Sequence, residues 1–344
     1  MNPLNFVRPN ILALEPYSTA RDEFKGGDIS VWVDANENPY PSDVNRYPDP
    51  HHKELKRVIA TLKGVKENQI FIGGAGSDEA IDLTFRIFCT PGVDNAISIA
   101  PSYGVYKVSA GINDVELREV MLADDYSLPV QALLEAADSN SKLMWLCSPN
   151  NPTGNAFSPE SICSLAERFN GMVVVDEAYV DFSAYPSMLT YLDKHPNLIV
   201  LQTFSKAWGM AGLRIGMAFA TSAISELYGR VKYPYNINGM TQQEIIRRIS
   251  QSDMANQVSE IITQRDLMEE ELKKLPAIRH VYDSDANFLL VKVDNPDEMY
   301  DYLIDSGVIV RNRTRVKGCN GCLRITIGTP DENKKILKLI QEFR

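Results

Sequence analysis

Apolar runs of four to six residues recur along the first two-thirds of the chain, at 69–72, 96–99, 143–147, 172–175, 198–201 and 215–220. Runs this short, mostly apolar rather than alternating, predict strands buried on both faces. A helical period marks 52–62, ahead of the first run, and 78–88, after it, and Ser158-Pro159 offers a serine N-cap with proline at the first helical position. The alternation predicts an α/β fold with a mainly parallel sheet covered by helices on both faces. Ahead of it, Val31-Trp32-Val33 reads as a short strand, and Pro39, Pro41, Pro48 and Pro50 forbid regular structure up to His51.

After Tyr235-Asn236-Ile237-Asn238-Gly239 the pattern changes. A long charged helical stretch runs to about 275, followed by a strand at 287–293, a helix at 296–304, strands at 308–310 and 323–327, and a closing helix at 332–343. Fewer strands, with helices to one side, predict a smaller α+β domain. The expected division is an N-terminal arm, 1–38, joining the small domain; a large domain, 39–240; and the small domain, 241–344.

At 344 residues and 44% hydrophobic composition the chain can bury a core large enough for two domains. A net charge of -10 argues against nucleic acid or an anionic membrane surface as partner. No apolar run reaches the roughly 20 residues that span a bilayer, and the first eight residues lack a signal peptide's apolar centre. Five cysteines, an odd number, suit a reducing cytoplasm. Cys319-Asn320-Gly321-Cys322 is the one CxxC; with no second pair and no nearby histidine, a turn between strands is its default reading, and no metal site is expected. None of the four histidines falls in a motif.

In parallel sheets ligands bind beyond the carboxyl ends of the strands, and four strand ends here carry candidate chemistry. The first strand runs into Gly73-Gly74-Ala75-Gly76-Ser77-Asp78, glycines opening a helix whose amides bind phosphate. Others run into Ser148-Pro149-Asn150-Asn151-Pro152-Thr153-Gly154, into Asp176-Glu177-Ala178-Tyr179, and into Ser205-Lys206 with Arg214 beyond. A lysine flanked by a hydroxyl and a guanidinium suits an aldehyde that carries a phosphate; the plain alternative is an exposed lysine in a turn. Asp176 also reads as a magnesium ligand or a helix cap. Two nucleotide signatures are absent: Glu79 stands where a dinucleotide fingerprint needs its third glycine, and no G-K-[ST] occurs.

Asn151-Pro152-Thr153-Gly154, Asp176-x-x-Tyr179 and Ser205-Lys206 with Arg214, in this order and spacing, resemble class II of the fold-type I pyridoxal-phosphate-dependent aminotransferases. Asn36-Glu37-Asn38-Pro39, Arg46-Tyr47-Pro48, Pro101-Ser102-Tyr103-Gly104 and Leu323-Arg324-Ile325-Thr326 narrow the resemblance to the histidinol-phosphate aminotransferases, nearly end to end. Each motif alone is weak; seven in register are specific. The resemblance implies a large domain with a seven-stranded sheet and an exchange of the amino group between L-histidinol phosphate and 2-oxoglutarate, giving L-glutamate, in histidine biosynthesis. Threonine-phosphate decarboxylases and aromatic-amino-acid aminotransferases share the machinery; a non-enzymatic pyridoxal-phosphate carrier would not need the full set of Lys206, Asp176, Asn151 and Tyr179.

The resemblance also implies roles. Lys206 would carry the cofactor covalently and move a proton at the substrate's Cα. Asp176 would pair with the pyridine nitrogen, Asn151 and Tyr179 with the ring oxygen, and Tyr103 would stack on the ring. Ser205, Arg214 and the amides of Ser77 and Asp78 would hold the cofactor phosphate, reached also by Tyr47 of a second subunit in a homodimer with shared sites. Arg324 and Arg311 would read the substrate's phosphate, with Tyr17 and Asn36 beside them. Tyr47 and Tyr103 also read as ordinary interface or core aromatics, and Arg311 as one member of a solvated basic loop.

Overall fold

The computed structural model describes residues 2–23 and 26–343. Two sheets organise it. The larger is built from β1 (Ile70–Gly76), β2 (Asn95–Ala100), β3 (Glu116–Met121), β4 (Ser141–Cys147), β5 (Met172–Asp176), β6 (Leu198–Thr203) and β7 (Gly216–Phe219) in the order β1-β7-β6-β5-β4-β2-β3. Strands β3, β2, β4, β5 and β6 run parallel, and β7 lies antiparallel between β6 and β1.

The continuous apolar runs follow from this layering. Successive side chains of a strand leave on opposite faces. In β5, Val173 and Val175 enter one core while Met172 and Val174 enter the other; in β4, Met144 and Leu146 oppose Leu143 and Trp145. With a core on each face, both registers of the strand favour apolar residues, and apart from the small Ser98 of β2 the buried polar side chains of these central strands gather at the strand ends. The edge strand β3 obeys a different rule. Its sequence Glu-Leu-Arg-Glu-Val-Met is partly exposed and charged, as unpaired edges require, which hides it from a search for apolar runs.

The second sheet is antiparallel, in the order β10-β11-β9-β8, from β8 (Ile278–Val281), β9 (Phe288–Val293), β10 (Arg311–Asn312) and β11 (Cys322–Thr326). Leu323 and Ile325 of β11 face this sheet's own core with Leu289, Val291 and Met268. The alternate face of β11 turns toward the larger sheet, where Cys322 joins the core containing Leu290 and Phe157.

Four expectations need correction. Val31-Trp32-Val33 forms no strand, and Val31 and Val33 are 69% and 85% exposed. Residues 308–310 are not a strand: pairing begins at Arg311, because Val310 turns inward while Ile309 stays exposed. The charged helical stretch is two helices, Gly239–Ser250 and Met254–Leu272, broken at Gln251-Ser252-Asp253. Over residues 2–12 the arm packs on the larger sheet rather than on the small one. Phe6, Val7 and Ile11 bury in the core of the larger sheet with Ile87 and Tyr228, and the Arg8 amide donates to the Ile87 carbonyl at 3.0 Å. Three apolar side chains spaced along two short turns need a greasy groove, and the helices Ser77–Phe88 and Ser222–Val231 provide it.

Strand β7 meets the start of the helix Ser77–Phe88 so closely that only glycine fits at 216: a Cβ there would lie 2.1 Å from the Ser77 nitrogen. That contact holds the helix N-terminus against the end of the sheet, at the edge where the parallel strands finish.

Candidate active site

Strands β1, β2, β4, β5 and β6 all end at one edge, and the loops beyond them line a cleft of about 1000 Å³. Its floor is Asp176, the last residue of β5, only 2% exposed. Its carboxylate accepts the Tyr106 hydroxyl at 2.7 Å on Oδ2 and the Ala178 amide at 3.1 Å on Oδ1. Burial pushes the carboxyl up to about 6, against an ordinary 3.8; the two hydrogen bonds and Lys206 oppose that rise, and Asp78 adds to it.

Lys206 lies at the cleft wall beyond β6, its Nζ 5.5 Å from the centre of the Tyr179 ring. Desolvation by the walls, reinforced by Arg324, lowers its pKa, while Asp176 and Asp78 pull the other way. More of the free amine is therefore present near neutrality than on a surface lysine. Tyr179 is buried and packs edge-on against Phe288 at 5.2 Å, fixing the ring beneath the ammonium.

At one end of the cleft the helix Ser77–Phe88 begins at Gly76, which has φ 77° and no side chain to cap the helix. The first-turn amides of Ser77 and Asp78 thus open onto the cleft, beside Ser205 and Arg214. The Asp78 carboxylate accepts the Tyr103 hydroxyl at 3.2 Å and faces Arg214 Nη2 at 3.7 Å. Arg214 is itself left-handed, φ 56°, and its Nη2 donates to the Ala75 carbonyl at 3.1 Å. Uncapped amides, a hydroxyl and a guanidinium converging on one point form an anion cradle.

The opposite wall comes from the second sheet. Arg311 and Arg324 are direct register partners across β10 and β11, so both side chains leave on one face, and both line the cleft. Arg324 Nη1 donates to Asn151 Oδ1, and its guanidinium lies 5.1 Å from the Phe288 ring. Asn150, the neighbour of Asn151, is fully buried and spent on structure: its Nδ2 donates to the Pro101 carbonyl and to Thr153.

The structure thus brings together Lys206, Asp176, Tyr179, Asn151, Ser77, Asp78, Tyr103, Ser205, Arg214, Arg311 and Arg324. It does not bring Tyr17, Asn36 or Tyr47 into this cleft. Tyr17 is 74% exposed. Asn36 and Tyr47 line a separate cavity of about 700 Å³ with Pro48 and Asn238, where Tyr47 stacks on Tyr235 at 4.4 Å. Two residues escaped the sequence reading. Tyr106 lies on the buried side of the helix Val105–Ile112, and nothing in its spacing announces that its hydroxyl meets Asp176. Arg313 also lines the cleft, and the alternation Arg311, Arg313, Arg315 was its available signal.

The family model for aminotransferase class I and II matches residues 20–340. A histidinol-phosphate aminotransferase of Parabacteroides distasonis is 52% identical, over 99% of this chain and 98% of its own. Among solved structures, the histidinol-phosphate aminotransferase of Clostridium acetobutylicum superposes with a TM-score of 0.80 at 23% identity, over 87% of this chain and 91% of its own. That of Sinorhizobium meliloti, in complex with pyridoxal-5'-phosphate, gives 0.77 at 24%, over 87% and 84%.

The raised carboxyl of Asp176 has a measurable consequence in the cofactor-free protein. Its folded pKa lies above the unfolded one, so its contribution to stability is full below pH 4 and is lost as the pH rises through 6. By linkage the loss is about 3 kcal/mol at pH 7. Urea unfolding of wild type and Asp176→Asn should therefore show the variant gaining on the wild type by about 2–3 kcal/mol between pH 4 and pH 7. A difference that stays flat with pH would contradict the buried, uncompensated carboxylate.

Proposed function

The chain belongs to the class I and II aminotransferase family and is a pyridoxal-phosphate-dependent aminotransferase, and on that premise we propose that it exchanges the amino group between L-histidinol phosphate and 2-oxoglutarate, yielding imidazole acetol phosphate and L-glutamate. The observation that carries the substrate reading is the Arg311–Arg324 pair, opposed in register on the wall of the cleft that holds Lys206 and Asp176. Two guanidiniums on one face suit a phosphate, which takes charge-assisted and bidentate hydrogen bonds from both.

The cofactor fits the donors present. Ser205, Arg214 and the amides of Ser77 and Asp78 would hold its phosphate, Tyr103 would cover its ring, and Asn151 and Tyr179 would bond the ring oxygen. Asp176 would pair with the ring nitrogen: a buried carboxylate with two donors and no full counter-charge gains from a cation placed beside it. When bound, the cofactor supplies an electron sink for the pair released at the substrate's Cα. Lys206 would anchor the cofactor and, with its lowered pKa, take the Cα proton on Nζ and pass it to the cofactor within the same half of the exchange; in the second half it would work in reverse, delivering a proton to the Cα of the new amino acid. Arg311 and Arg324 would fix the substrate's far end, so that its Cα meets Nζ; Asn151 holds Arg324 in place.

A homodimer completes this reading. Tyr47 sits outside the cleft of its own chain, in a proline-rich stretch with Tyr40 and Val44 exposed. Such a stretch suits a second copy, whose cleft Tyr47 would enter to reach the cofactor phosphate; Tyr17 and Asn36 would likewise belong near the shared site. A reducing compartment, the cytoplasm, agrees with five unpaired thiols.

Two experiments test these claims. A panel of amines that includes L-histidinol phosphate and L-threonine phosphate, scored for L-glutamate formed from 2-oxoglutarate and for carbon dioxide, should give L-glutamate with L-histidinol phosphate and no carbon dioxide from L-threonine phosphate. In the same assay Arg311→Ala should weaken L-histidinol phosphate by about 1.5–3 kcal/mol and spare 2-oxoglutarate more, while Arg324→Ala impairs both; equal losses in Arg311→Ala would remove it from the phosphate site. For the dimer, mixing inactive Lys206→Ala and Tyr47→Phe chains should restore activity, because one of the two sites in each mixed dimer regains both native residues. No recovery, with exchange of subunits verified, would favour a site built from one chain.

A further inference from the structure

Arg313 extends the ladder that pairs Arg311 with Arg324: its amide donates to the Cys322 carbonyl at 2.8 Å. Two residues along a strand put side chains on one face, so Arg311 and Arg313 point the same way, and both line the cleft with Arg324. The turn beyond is held. Val316 donates to the Arg313 carbonyl at 2.8 Å, Cys319 to Val316 at 2.9 Å, and the Tyr126 hydroxyl ties Gly318 to the larger sheet at 2.8 Å. Arg313 is therefore half-buried on a fixed turn rather than loose on a solvated loop.

Among the described residues no carboxylate forms an ion pair with Arg311, Arg313 or Arg324, and the Nε atoms of Arg313 and Arg324 are buried with no hydrogen-bond partner. Burial, then Arg324 and Arg311, lower the pKa of Arg313, the sign of three like charges turned toward one space. A buried donor without a partner is a cost that an arriving acceptor removes. A carboxylate offers two oxygens and one charge; a phosphomonoester offers three oxygens and nearly two charges.

Resting on the substrate reading above, we propose that Arg313 is a specificity-determining residue, a third guanidinium that with Arg311 and Arg324 makes the cleft select an amine carrying a phosphomonoester dianion over the same amine without it. Removing it lowers the preference for the phosphorylated amine without touching the chemistry at Cα.

The test compares L-histidinol phosphate with L-histidinol, the same amine without the phosphate, on the holoenzyme at fixed 2-oxoglutarate. Arg313→Gln should reduce kcat/KM for the phosphorylated amine by about 10- to 100-fold, mainly through KM, as loss of a charged hydrogen bond requires. The ratio of kcat/KM for the two amines should fall at least about 10-fold, and Arg313→Lys should restore part of it. A ratio unchanged in Arg313→Gln, whether both amines are retained or both lost alike, overturns the role of Arg313. A wild type that does not distinguish the two amines overturns the substrate reading, and the role of Arg313 with it.

Discussion

A carboxylate at the end of a strand that is buried on both faces is the constraint around which the cleft is built. Asp176 needs charge compensation, and Tyr106 and Ala178 supply only two neutral donors. One residue further along, Glu177 is just as buried but is spent on Ser187, Met188 and Gln202 instead of lining the cleft; one residue back, Val175 faces an apolar core. Its place at the last rung of β5, paired with Cys147 on β4 and Leu201 on β6, is fixed by the same two-sided core that makes the strands apolar. Lys206, one loop beyond β6, then falls at the same edge because parallel neighbours end together.

Charge is distributed unevenly over this acidic chain of net charge -10. The anion cradle at the helix Ser77–Phe88 and the arginine wall on β10 and β11 face each other across Lys206, so the cleft is cationic at both ends. An amine that carries a phosphate can then be held at its far end by one sheet and present its Cα to a lysine on the other. Cys319 and Cys322 serve that geometry through packing: both are free and buried, closing the turn that carries Arg313 onto the larger sheet's core.

Much of this was legible in the sequence because the constraints are local. A strand with a core on each side must be apolar, and a polar residue at its end is conspicuous, which is how Asp176, Asn151 and Lys206 stand out. Where structure depends on partners distant in the chain, the pattern is silent. Strand β3 is charged because it is an edge; β8 is short and half exposed; Val31-Trp32-Val33 has strand composition and no strand beside it. Tyr106 looks like any buried helix tyrosine until Asp176 is seen opposite it. The alternation of Arg311 and Arg313 was visible, but only the β10–β11 register shows that it meets Arg324.

Borohydride reduction of the holoenzyme, followed by peptide mapping, tests the central assignment most directly, because it asks which amine of the chain reaches the cofactor. The pyridoxyl label should appear in the peptide that contains Lys206, and Lys206→Ala should take up the cofactor without retaining any label. A label on another lysine, Lys317 at the mouth of the same cleft included, would contradict the assignment.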